Sequence, residues 1–285
     1  MLWSDERLTR LLERTERTER EELMTLKIGI TNQKGGVSKT TNSLNIAGAL
    51  ADDNGDSGVS VLAVDMDPQG YLTHRLGFQD AYAADPPSLY DALQSPSEYD
   101  IPDLVVHHDE FDLLPANIDM FRLEQDLIAS GMRPRMRLRS LLKNTTDWDV
   151  IVIDAPPSLG PLNDNVVLAT EQLLVPVEAD ESSQLALNHL LRQLDTLEEN
   201  YDVVIDILGV IVSNVSYPLD NEQQAAIEWF RRRFEGRVPV WIVRTRAAIK
   251  RAVKNHRSIC ADDAEDTDMT DVFAEIATEV IDTDV

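Results

Sequence analysis

The sequence predicts an α/β fold with one doubly wound, mainly parallel β-sheet and helices on both of its faces. Apolar strand-like runs alternate with helix-like runs along the chain, which is the order that βαβ units produce. Asp65 and Asp154 directly follow apolar runs, and the carboxyl ends of parallel strands form the ligand edge of such a sheet. A length of 285 residues suits one domain of this kind. We therefore divide the chain into a charged N-terminal helix or extension, residues 1–25, and one α/β domain, residues 26–285.

The first turn of the domain carries glycine and lysine between a strand-like run, Leu26–Ile30, and a helix-like run, 44–50. It reads Thr-Asn-Gln-Lys-Gly-Gly-Val-Ser-Lys-Thr-Thr over residues 31–41. A strand, a glycine-bearing turn and a helix together present backbone N–H groups and a helix N-terminus to phosphate. We expect Lys39 to reach the β- and γ-phosphate oxygens and the Thr40 hydroxyl to bind Mg²⁺. The turn therefore predicts a nucleotide site.

This turn departs from the general P-loop pattern G-x-x-x-x-G-K-[ST], because Gln33 and Ser38 stand at its two glycine positions. It matches the variant K-G-G-x-G-K-T-T, which begins with the extra lysine Lys34, at every position except Ser38. If position 38 needs a positive φ, serine costs about 1 kcal/mol relative to glycine. We expect that cost to weaken nucleotide binding without abolishing it.

Two later strand-like runs end in aspartates. The run 59–64 leads into Asp-Met-Asp-Pro-Gln-Gly at 65–70, and the run 149–153 leads into Asp-Ala-Pro-Pro-Ser-Leu-Gly at 154–160. An aspartate that ends a wholly apolar strand, as Asp154 does, is a Walker B arrangement that holds Mg²⁺ directly or through water. An ordinary turn at 65–70 and a structural role for Asp154 are the alternatives.

The composition is strongly acidic, with 51 Asp and Glu against 26 Lys and Arg, a net charge of −25 and only six lysines. Such a surface stays hydrated in a salt-saturated cytoplasm, so we interpret the chain as halophilic, with an acidic mesophilic protein as the alternative. One cysteine, Cys260, excludes intrachain disulfides and a cysteine metal site and fits a reducing compartment. Without an 18-residue apolar run or an apolar signal-peptide core, we expect a cytoplasmic protein and no membrane partner.

Residues 1–25 carry Leu8, Leu11 and Leu12 among Glu/Arg pairs that can support a short helix. A partner-binding or self-docking helix, a mispredicted start with Met24 as the initiator, and a disordered tail all stay open. Near the other end, the apolar residues between 269 and 281 recur at helical spacing, and the polar positions between them are acidic. A membrane-surface helix needs Lys or Arg opposite its apolar face, so this pattern predicts a helix that packs on the core.

The three motifs at 31–41, 65–70 and 154–160 together resemble the nucleotide motifs of the ParA/MinD superfamily of deviant Walker A P-loop NTPases. The resemblance covers roughly residues 26–282 and is greatest to ParA/Soj-type partition ATPases. It implies a slow, Mg²⁺-dependent ATPase in which Lys34 reaches across an ATP-bridged homodimer to the phosphates of the other subunit. It also implies that Asp67 positions or activates the attacking water and that Asp65 supports the Mg²⁺ shell.

The implied site residues follow from these motifs. Lys34, Lys39 and Asp67 are the expected catalytic residues, and Thr40, Asp65 and Asp154 are the expected Mg²⁺ residues. The expected nucleotide-binding residues are Lys34, Gly35, Gly36, Val37, Ser38, Lys39, Thr40, Thr41, Asn214 and Arg244. In this resemblance Asn214 lies just beyond the strand-like run 203–212 and contacts adenine, with an ordinary turn asparagine as the alternative, and Arg244 lies on the base side.

Ten Lys and Arg lie between positions 231 and 257, with Glu235 as the one acidic residue in that stretch. Apart from Arg244, the resemblance places them where ParA proteins bind DNA through phosphates without sequence preference. The expected DNA-binding residues are Arg231, Arg232, Arg233, Arg246, Lys250, Arg251 and Lys254. The alternative is internal pairing with residues 258–285, which hold ten Asp and Glu and no Lys or Arg.

The resemblance therefore implies a plasmid or chromosome partition switch on the nucleoid, stimulated by a ParB-like partner. A MinD-like positioning ATPase that acts on a protein cargo or a membrane is the main rival. A metallocluster carrier needs paired cysteines, which this chain lacks. An ATP-holding module without turnover also stays open, because Ser38 is unusual.

Overall fold

A computed structural model of the protein describes residues 25–52, 59–130, 133–158 and 160–283. Nearly all of the N-terminal segment, residues 1–24, lies outside the described residues, and so does the helix predicted for it. Within the described part, the chain forms one sheet flanked by helices.

The sheet has eight strands in the described ranges and is parallel except at one edge. In chain order the strands are β1 (Leu26–Ile30), β2 (Val61–Asp65), β3 (Val106–His107), β4 (Asp112–Leu114), β5 (Val150–Asp154), β6 (Gln172–Glu178), β7 (Asp206–Val215) and β8 (Val240–Arg244). Across the sheet they lie in the order β3-β4-β2-β5-β1-β6-β7-β8, and only β3 runs antiparallel to its neighbour. The predicted doubly wound, mainly parallel sheet is confirmed.

Helices cover both faces because the strands are apolar on both sides. The helices are α1 (Lys39–Ala51), α2 (Tyr71–Arg75), α3 (Gln79–Tyr82), α4 (Leu89–Gln94), α5 (Met120–Ser130), α6 (Arg137–Leu141), α7 (Pro161–Thr170), α8 (Glu181–Tyr201), α9 (Asn221–Arg233), α10 (Ala247–Lys254) and α11 (Asp268–Asp282), with a 3₁₀ turn at Ile101–Leu104. In β2, Val61 and Ala63 join the core under α1 and α11, whereas Leu62 and Val64 join the core under α4 to α7. Successive residues of a strand point to opposite faces, so one apolar strand serves both cores.

The C-terminal helix α11 buries its apolar face in the core. Met269, Phe273, Ile276 and Val280 are all at most 1% exposed and belong to the same cluster as α1. The predicted core-packing helix is confirmed, and its apolar side is not available to a membrane surface. Within the part of the chain that the structure describes, no helix combines the length and apolar character needed to cross a bilayer.

Three neighbouring strands bring the sequence motifs together. β5 lies between β1 and β2, with Asp154 opposite Ile30 on one side and Asp65 on the other. The turn after β1 and the two aspartates therefore lie together at the carboxyl ends of these three central strands. This end of the sheet is the candidate functional site.

Candidate nucleotide site

The turn after β1 forms an open loop that ends where α1 begins. Gly36 has a φ of 82°, and Ser38 has a φ of 67° as the residue that caps α1. A Cβ added at Gly35 or Gly36 would meet no atom within 4 Å. The loop is therefore open around both glycines, and it leads into the N-terminus of the 13-residue helix α1, as an anion site requires.

Ser38 adopts the left-handed conformation that its glycine-like position demands. The condition under which serine is less favourable than glycine at this position, a positive φ, is therefore met. The side chain has a compensating contact, because Ser38 Oγ donates a hydrogen bond of 3.0 Å to Asn214 Oδ1. The strain of about 1 kcal/mol is thus offset by a hydrogen bond of similar value.

Replacing Ser38 with alanine is expected to lower the free energy of unfolding by about 1 kcal/mol, because the hydrogen bond disappears and the strain stays. Ser38→Gly loses the same bond but relieves the strain, so it should lie within about 0.5 kcal/mol of the wild type. Urea unfolding of the nucleotide-free protein measures both. Equal losses in the two variants would contradict this account of Ser38.

Lys39 is held beneath the loop. Lys39 is 7% exposed, and its Nζ donates a hydrogen bond of 3.2 Å to the backbone oxygen of Lys34. Burial lowers the pKa of Lys39, while the carboxylates of Asp154 and Asp67 act in the opposite direction. The ammonium group therefore lies between the loop and the strand-end aspartates, where Lys39 was expected to meet phosphate.

Asp65 and Asp154 form a buried pair on neighbouring strands, and both residues are 0% exposed. Asp65 Oδ2 accepts hydrogen bonds from Thr73 N at 2.8 Å and Thr73 Oγ1 at 2.7 Å. Asp154 Oδ1 accepts one from Ser43 Oγ at 2.9 Å, whereas its buried Oδ2 has no partner among the described residues. Burial raises the pKa of both carboxyls, and the charge of Asp154 raises the pKa of Asp65 further.

These residues fit a hydrated Mg²⁺ ion. Asp154 Oδ2 has no hydrogen-bond partner in the described residues and is available to a metal ion, and the Thr40 hydroxyl is close enough to this carboxyl to oppose part of the rise in its pKa. No three Asp, Glu, His or Cys side chains in the described ranges are placed to bind one ion together. Mg²⁺ in nucleotide sites usually takes one or two protein ligands and completes its shell with phosphate and water. Asp154 Oδ2 and the Thr40 hydroxyl fit the protein part of such a shell, and the assignment of Thr40, Asp65 and Asp154 to Mg²⁺ stays a prediction.

Asp67 lies on the tight turn that follows β2. The residue is 5% exposed, and its Oδ1 accepts a hydrogen bond of 3.0 Å from Gln69 N. Burial raises the pKa of Asp67, while that N–H and the Lys39 ammonium oppose the shift. Gly70 closes the turn with a φ of 62°, and a Cβ there would lie 2.5 Å from the ring of Tyr82. The turn therefore holds Asp67 in one position.

Lys34 contacts acidic residues of its own chain at the rim of the loop. Its Nζ donates hydrogen bonds to Glu178 Oε2 at 2.8 Å, Asp180 Oδ2 at 2.6 Å and Ser183 Oγ at 3.1 Å. Burial would raise the pKa of Asp180, but hydrogen bonds led by the one from Lys34 outweigh it and hold that pKa at about 2. Contact between Lys34 and the phosphates of another subunit stays a prediction, because the structure contains a single chain.

Asn214 contacts the loop, but not in the way its sequence position indicated. The strand β7 continues to Val215 with an irregular register after Val212, so the prediction that Asn214 lies beyond the strand is wrong. Asn214 has a φ of 58°, and its Nδ2 donates to Gly36 O at 3.2 Å and to Glu178 Oε1 at 3.1 Å. Both amide hydrogens are thus used within the protein, and contact with adenine stays a prediction.

Sequence reasoning missed several residues at this edge. Glu178 ends the strand β6, so the rule that singled out Asp65 and Asp154 would have found it. Arg75 is harder to foresee, because its Nη1 reaches Thr41 Oγ1 at 2.7 Å only once α2 packs beside α1. Tyr217 is 76% exposed, and the guanidinium of Arg244 lies 5.9 Å from its ring centroid, at the ends of β7 and β8.

The basic stretch is divided between paired and unpaired cations. Four arginines contact acidic residues between Asp263 and the first residue of α11; they are Arg244 and Arg246 on Asp268, Arg251 on Glu265, and Arg257 on Asp263. Arg231 and Arg237 pair with glutamates on or after α9. Arg232, Arg233, Lys250 and Lys254 form no ion pair with any residue in the described ranges. Internal pairing is therefore real for part of the stretch, and DNA binding stays a prediction.

Comparison with known proteins agrees with this geometry. A family model described as an AAA domain, AAA_31, matches residues 25–207. The sporulation initiation inhibitor protein Soj of Bacillus subtilis is 34% identical over 188 residues, which are 65% of this chain and 71% of that protein. Two uncharacterized proteins of Mycobacterium tuberculosis are equally similar, and the chain spans 57% of their length.

Solved structures extend the likeness over nearly the whole fold. A Cyanothece McdA variant in complex with ATP superposes with a TM-score of 0.77 over 90% of this chain and 96% of that one, at 22% identity. The Mycobacterium smegmatis cobyrinic acid a,c-diamide synthase bound to an ATP analogue and magnesium gives a TM-score of 0.72, over 90% and 93% of the chains, at 27% identity. The chain therefore belongs to the AAA domain family that matches residues 25–207, and within it to the ParA/Soj family.

Proposed function

We propose that this protein is an ATP-dependent dimerisation switch for plasmid or chromosome partitioning, which hydrolyses ATP and binds DNA without sequence preference as the ATP dimer. The observation that carries the proposal is the arrangement of two lysines on one loop. Lys39 is buried beneath the loop beside Asp67 and Asp154, whereas Lys34 lies at the rim, 21% exposed. One lysine can serve the nucleotide of its own subunit and the other a nucleotide across an interface.

The phosphates would lie along the backbone N–H groups between Gly35 and Thr41, at the N-terminus of α1. Thr40 and Asp154, supported by Asp65, would hold Mg²⁺. When bound, Mg²⁺ supplies positive charge that neutralises the phosphate oxygens. Lys39 adds a fixed positive charge in a buried site, where electrostatic stabilisation is strong because water does not screen it.

Asp67 is the proposed residue that orients the attacking water. It is buried, it is held by the turn that Gly70 closes, and burial raises its pKa. A carboxylate in that state is a better proton acceptor than an exposed aspartate. Lys34, once delivered to the phosphates, would complete the charge stabilisation, so hydrolysis is tied to dimerisation.

Dimerisation has an electrostatic cost that salt reduces. Each chain carries a net charge of −25, so two chains repel one another at low ionic strength. The screening length is about 3 Å at 1 M salt, which suppresses this repulsion but leaves direct contacts intact. We therefore expect ATP-driven dimerisation to be observed best at high KCl.

DNA binding is proposed for the unpaired cations at the end of α9 and on α10. Arg232 and Arg233 at the end of α9, and Lys250 and Lys254 on α10, place positive charge on two helices that pack on opposite faces of the sheet. The relatives named for chromosome partitioning support this assignment and the proposal of a ParB-like partner that stimulates hydrolysis and returns monomers.

The proposal predicts that DNA binds at high KCl with ATP and not with ADP or without nucleotide. Lys34→Ala should lose both dimerisation and DNA binding, because Lys34 bridges the subunits. Arg232→Glu/Arg233→Glu should still dimerise but bind DNA at least tenfold more weakly, because phosphate contacts become repulsive. Fluorescence anisotropy with a random-sequence duplex, and light scattering for the dimer, measure the two events.

A matched control is Lys143→Glu/Arg192→Glu, which changes the charge equally at two cations that form no ion pair in the described residues. DNA affinity within about threefold of the wild type is expected there, provided that the dimer forms. If ATP drives dimerisation but no nucleotide state binds DNA, the partition proposal fails. A MinD-like positioning ATPase that acts on a protein cargo is then the better account.

A further inference from the structure

An acidic loop lies across part of the basic surface. The segment 262–268 is called the strap here; it ends with the first residue of α11 and lies between the buried residues Ile259 and Met269. It is anchored at both ends, because Ile259 is 3% and Met269 1% exposed. The strap is therefore held close to α10 and the end of β8.

The strap binds arginines in the way that phosphate would. Glu265 accepts two hydrogen bonds from Arg251, one from Nε and one from Nη2, both at 2.7 Å. Asp268 accepts two from Arg246, from Nε and Nη2, both at 2.8 Å, and it also contacts Arg244. Such two-point contacts use the same guanidinium edge that recognises a phosphate.

The basic surface is consequently divided into a covered half and an open half. Within α10, Arg251 is covered by Glu265, whereas Lys250 and Lys254 on the same helix have no ion-pair partner in the described part of the chain. The covered half consists of Arg244, Arg246, Arg251 and Arg257, and the open half consists of Lys250 and Lys254. Arg232 and Arg233 end α9, which packs on the other face of the sheet, and they do not belong to this surface.

We propose that the strap and DNA phosphates bind the covered arginines in alternation, so that the strap limits the affinity of the protein for DNA and the steepness of its salt dependence. The inference rests on the proposed DNA-binding function and adds a regulation to it. DNA would meet the open half first and gain the covered half only when the strap carboxylates are displaced. Internal pairing and DNA binding are then two states of the same arginines.

The strap competes effectively because it is tethered. A group tied to its partner by a short loop acts at a high local concentration, and a free anion in solution does not. Salt screens the exposed ion pairs of the strap and the phosphate contacts of the same arginines alike, so it does not remove the advantage of the tether.

The test compares two pairs of substitutions in the strap that change the net charge equally. Asp263→Asn/Glu265→Gln removes the carboxylates that contact Arg257 and Arg251. The control, Asp262→Asn/Asp266→Asn, removes two strap carboxylates that contact no cation in the described residues. Affinity for a 30-base-pair random duplex is measured with ATP at several KCl concentrations.

The contact variant should bind DNA about tenfold more tightly than the wild type at the lowest salt. Its log–log slope against KCl should be steeper by up to about 1.8, because each released arginine adds about 0.9. The control should change affinity less than about threefold and leave the slope unchanged. Thermal unfolding should be similar in all three proteins, because exposed ion pairs contribute little to stability.

Hydrogen exchange gives a second, independent readout. In the ATP state, added DNA should speed exchange in residues 262–268 of the wild type, because the displaced strap loses its contacts. Equal gains in affinity for the two variants, or no gain while the wild type binds DNA, would overturn the strap and leave the DNA-binding proposal intact. Failure of every variant to bind DNA in any nucleotide state would overturn both.

Discussion

Asp67→Asn is expected to lower ATP turnover at least 100-fold while ATP affinity stays within about threefold of the wild type. General-base or water-orienting groups contribute about 10²–10⁴ to a rate, and asparagine cannot accept a proton. Asp67 is buried and held by Gln69 N at 3.0 Å, and asparagine can keep that acceptor, so the turn should stay intact. Phosphate release and nucleotide titration, both at high KCl, measure the two quantities.

Asp149→Asn is the matched control for this substitution. Asp149 precedes β5 at the amino ends of the strands, away from the nucleotide site. There it accepts hydrogen bonds from Ser60 N at 2.8 Å and Ser60 Oγ at 2.6 Å. Turnover there should remain within about twofold of the wild type. If Asp67→Asn keeps more than a tenth of the wild-type rate, Asp67 does not orient the water. If it loses ATP binding as well, Asp67 belongs to the binding site instead.

The sheet edge could be predicted because it depends only on local pattern. Asp65 and Asp154 follow apolar runs, and the carboxyl ends of parallel strands must meet, whatever the helices between them do. The positive φ of Ser38 was foreseeable for the same reason, since a loop that turns into a helix N-terminus leaves few conformations. Local geometry and strand order therefore fix these positions.

The contacts that tie distant segments together could not be predicted. Lys34 and Asp180 are 146 residues apart and meet because β6 lies beside β1. Asn214 meets Ser38 across 176 residues, at the irregular end of β7. Sequence spacing carries no information about such pairs, because the strand order β1-β6-β7 decides them. The pairs formed by the strap could not be predicted either, because its acidic sequence does not indicate which arginines it contacts.

The stability of the nucleotide-free protein is expected to fall as the pH rises from about 5 to 8. Burial raises the pKa of both Asp65 and Asp154 in the folded state, whereas in the unfolded chain they titrate near 3.9. Below about pH 3.9 both carboxyls are protonated in the folded and in the unfolded chain, so burying the pair carries no charge penalty. Above it the unfolded chain loses protons that the folded chain retains, so the contribution to stability is lost as the pH climbs towards the raised pKa values.

The ion-paired carboxylates act in a different pH range. The pKa values of Asp180 and Asp268 are held at about 2, so their contribution is lost only as the pH falls below about 4. The general repulsion of a chain with charge −25 also grows with pH, but high KCl screens it. Above pH 5 and in high KCl, the buried pair of Asp65 and Asp154 should therefore dominate the pH dependence of the stability.

Urea unfolding at pH 5 and pH 8 tests this in the wild type and in Asp65→Asn. The free energy of unfolding of the wild type should fall by on the order of a few kcal/mol from pH 5 to pH 8. That of Asp65→Asn should fall less, because one of the two buried charges is gone. Asp154→Asn should flatten the dependence in the same way. Mg²⁺ with ATP should restore stability more at pH 8 than at pH 5, since the ion binds the deprotonated pair. An unchanged difference between the two pH values in both variants would show that other groups cause it.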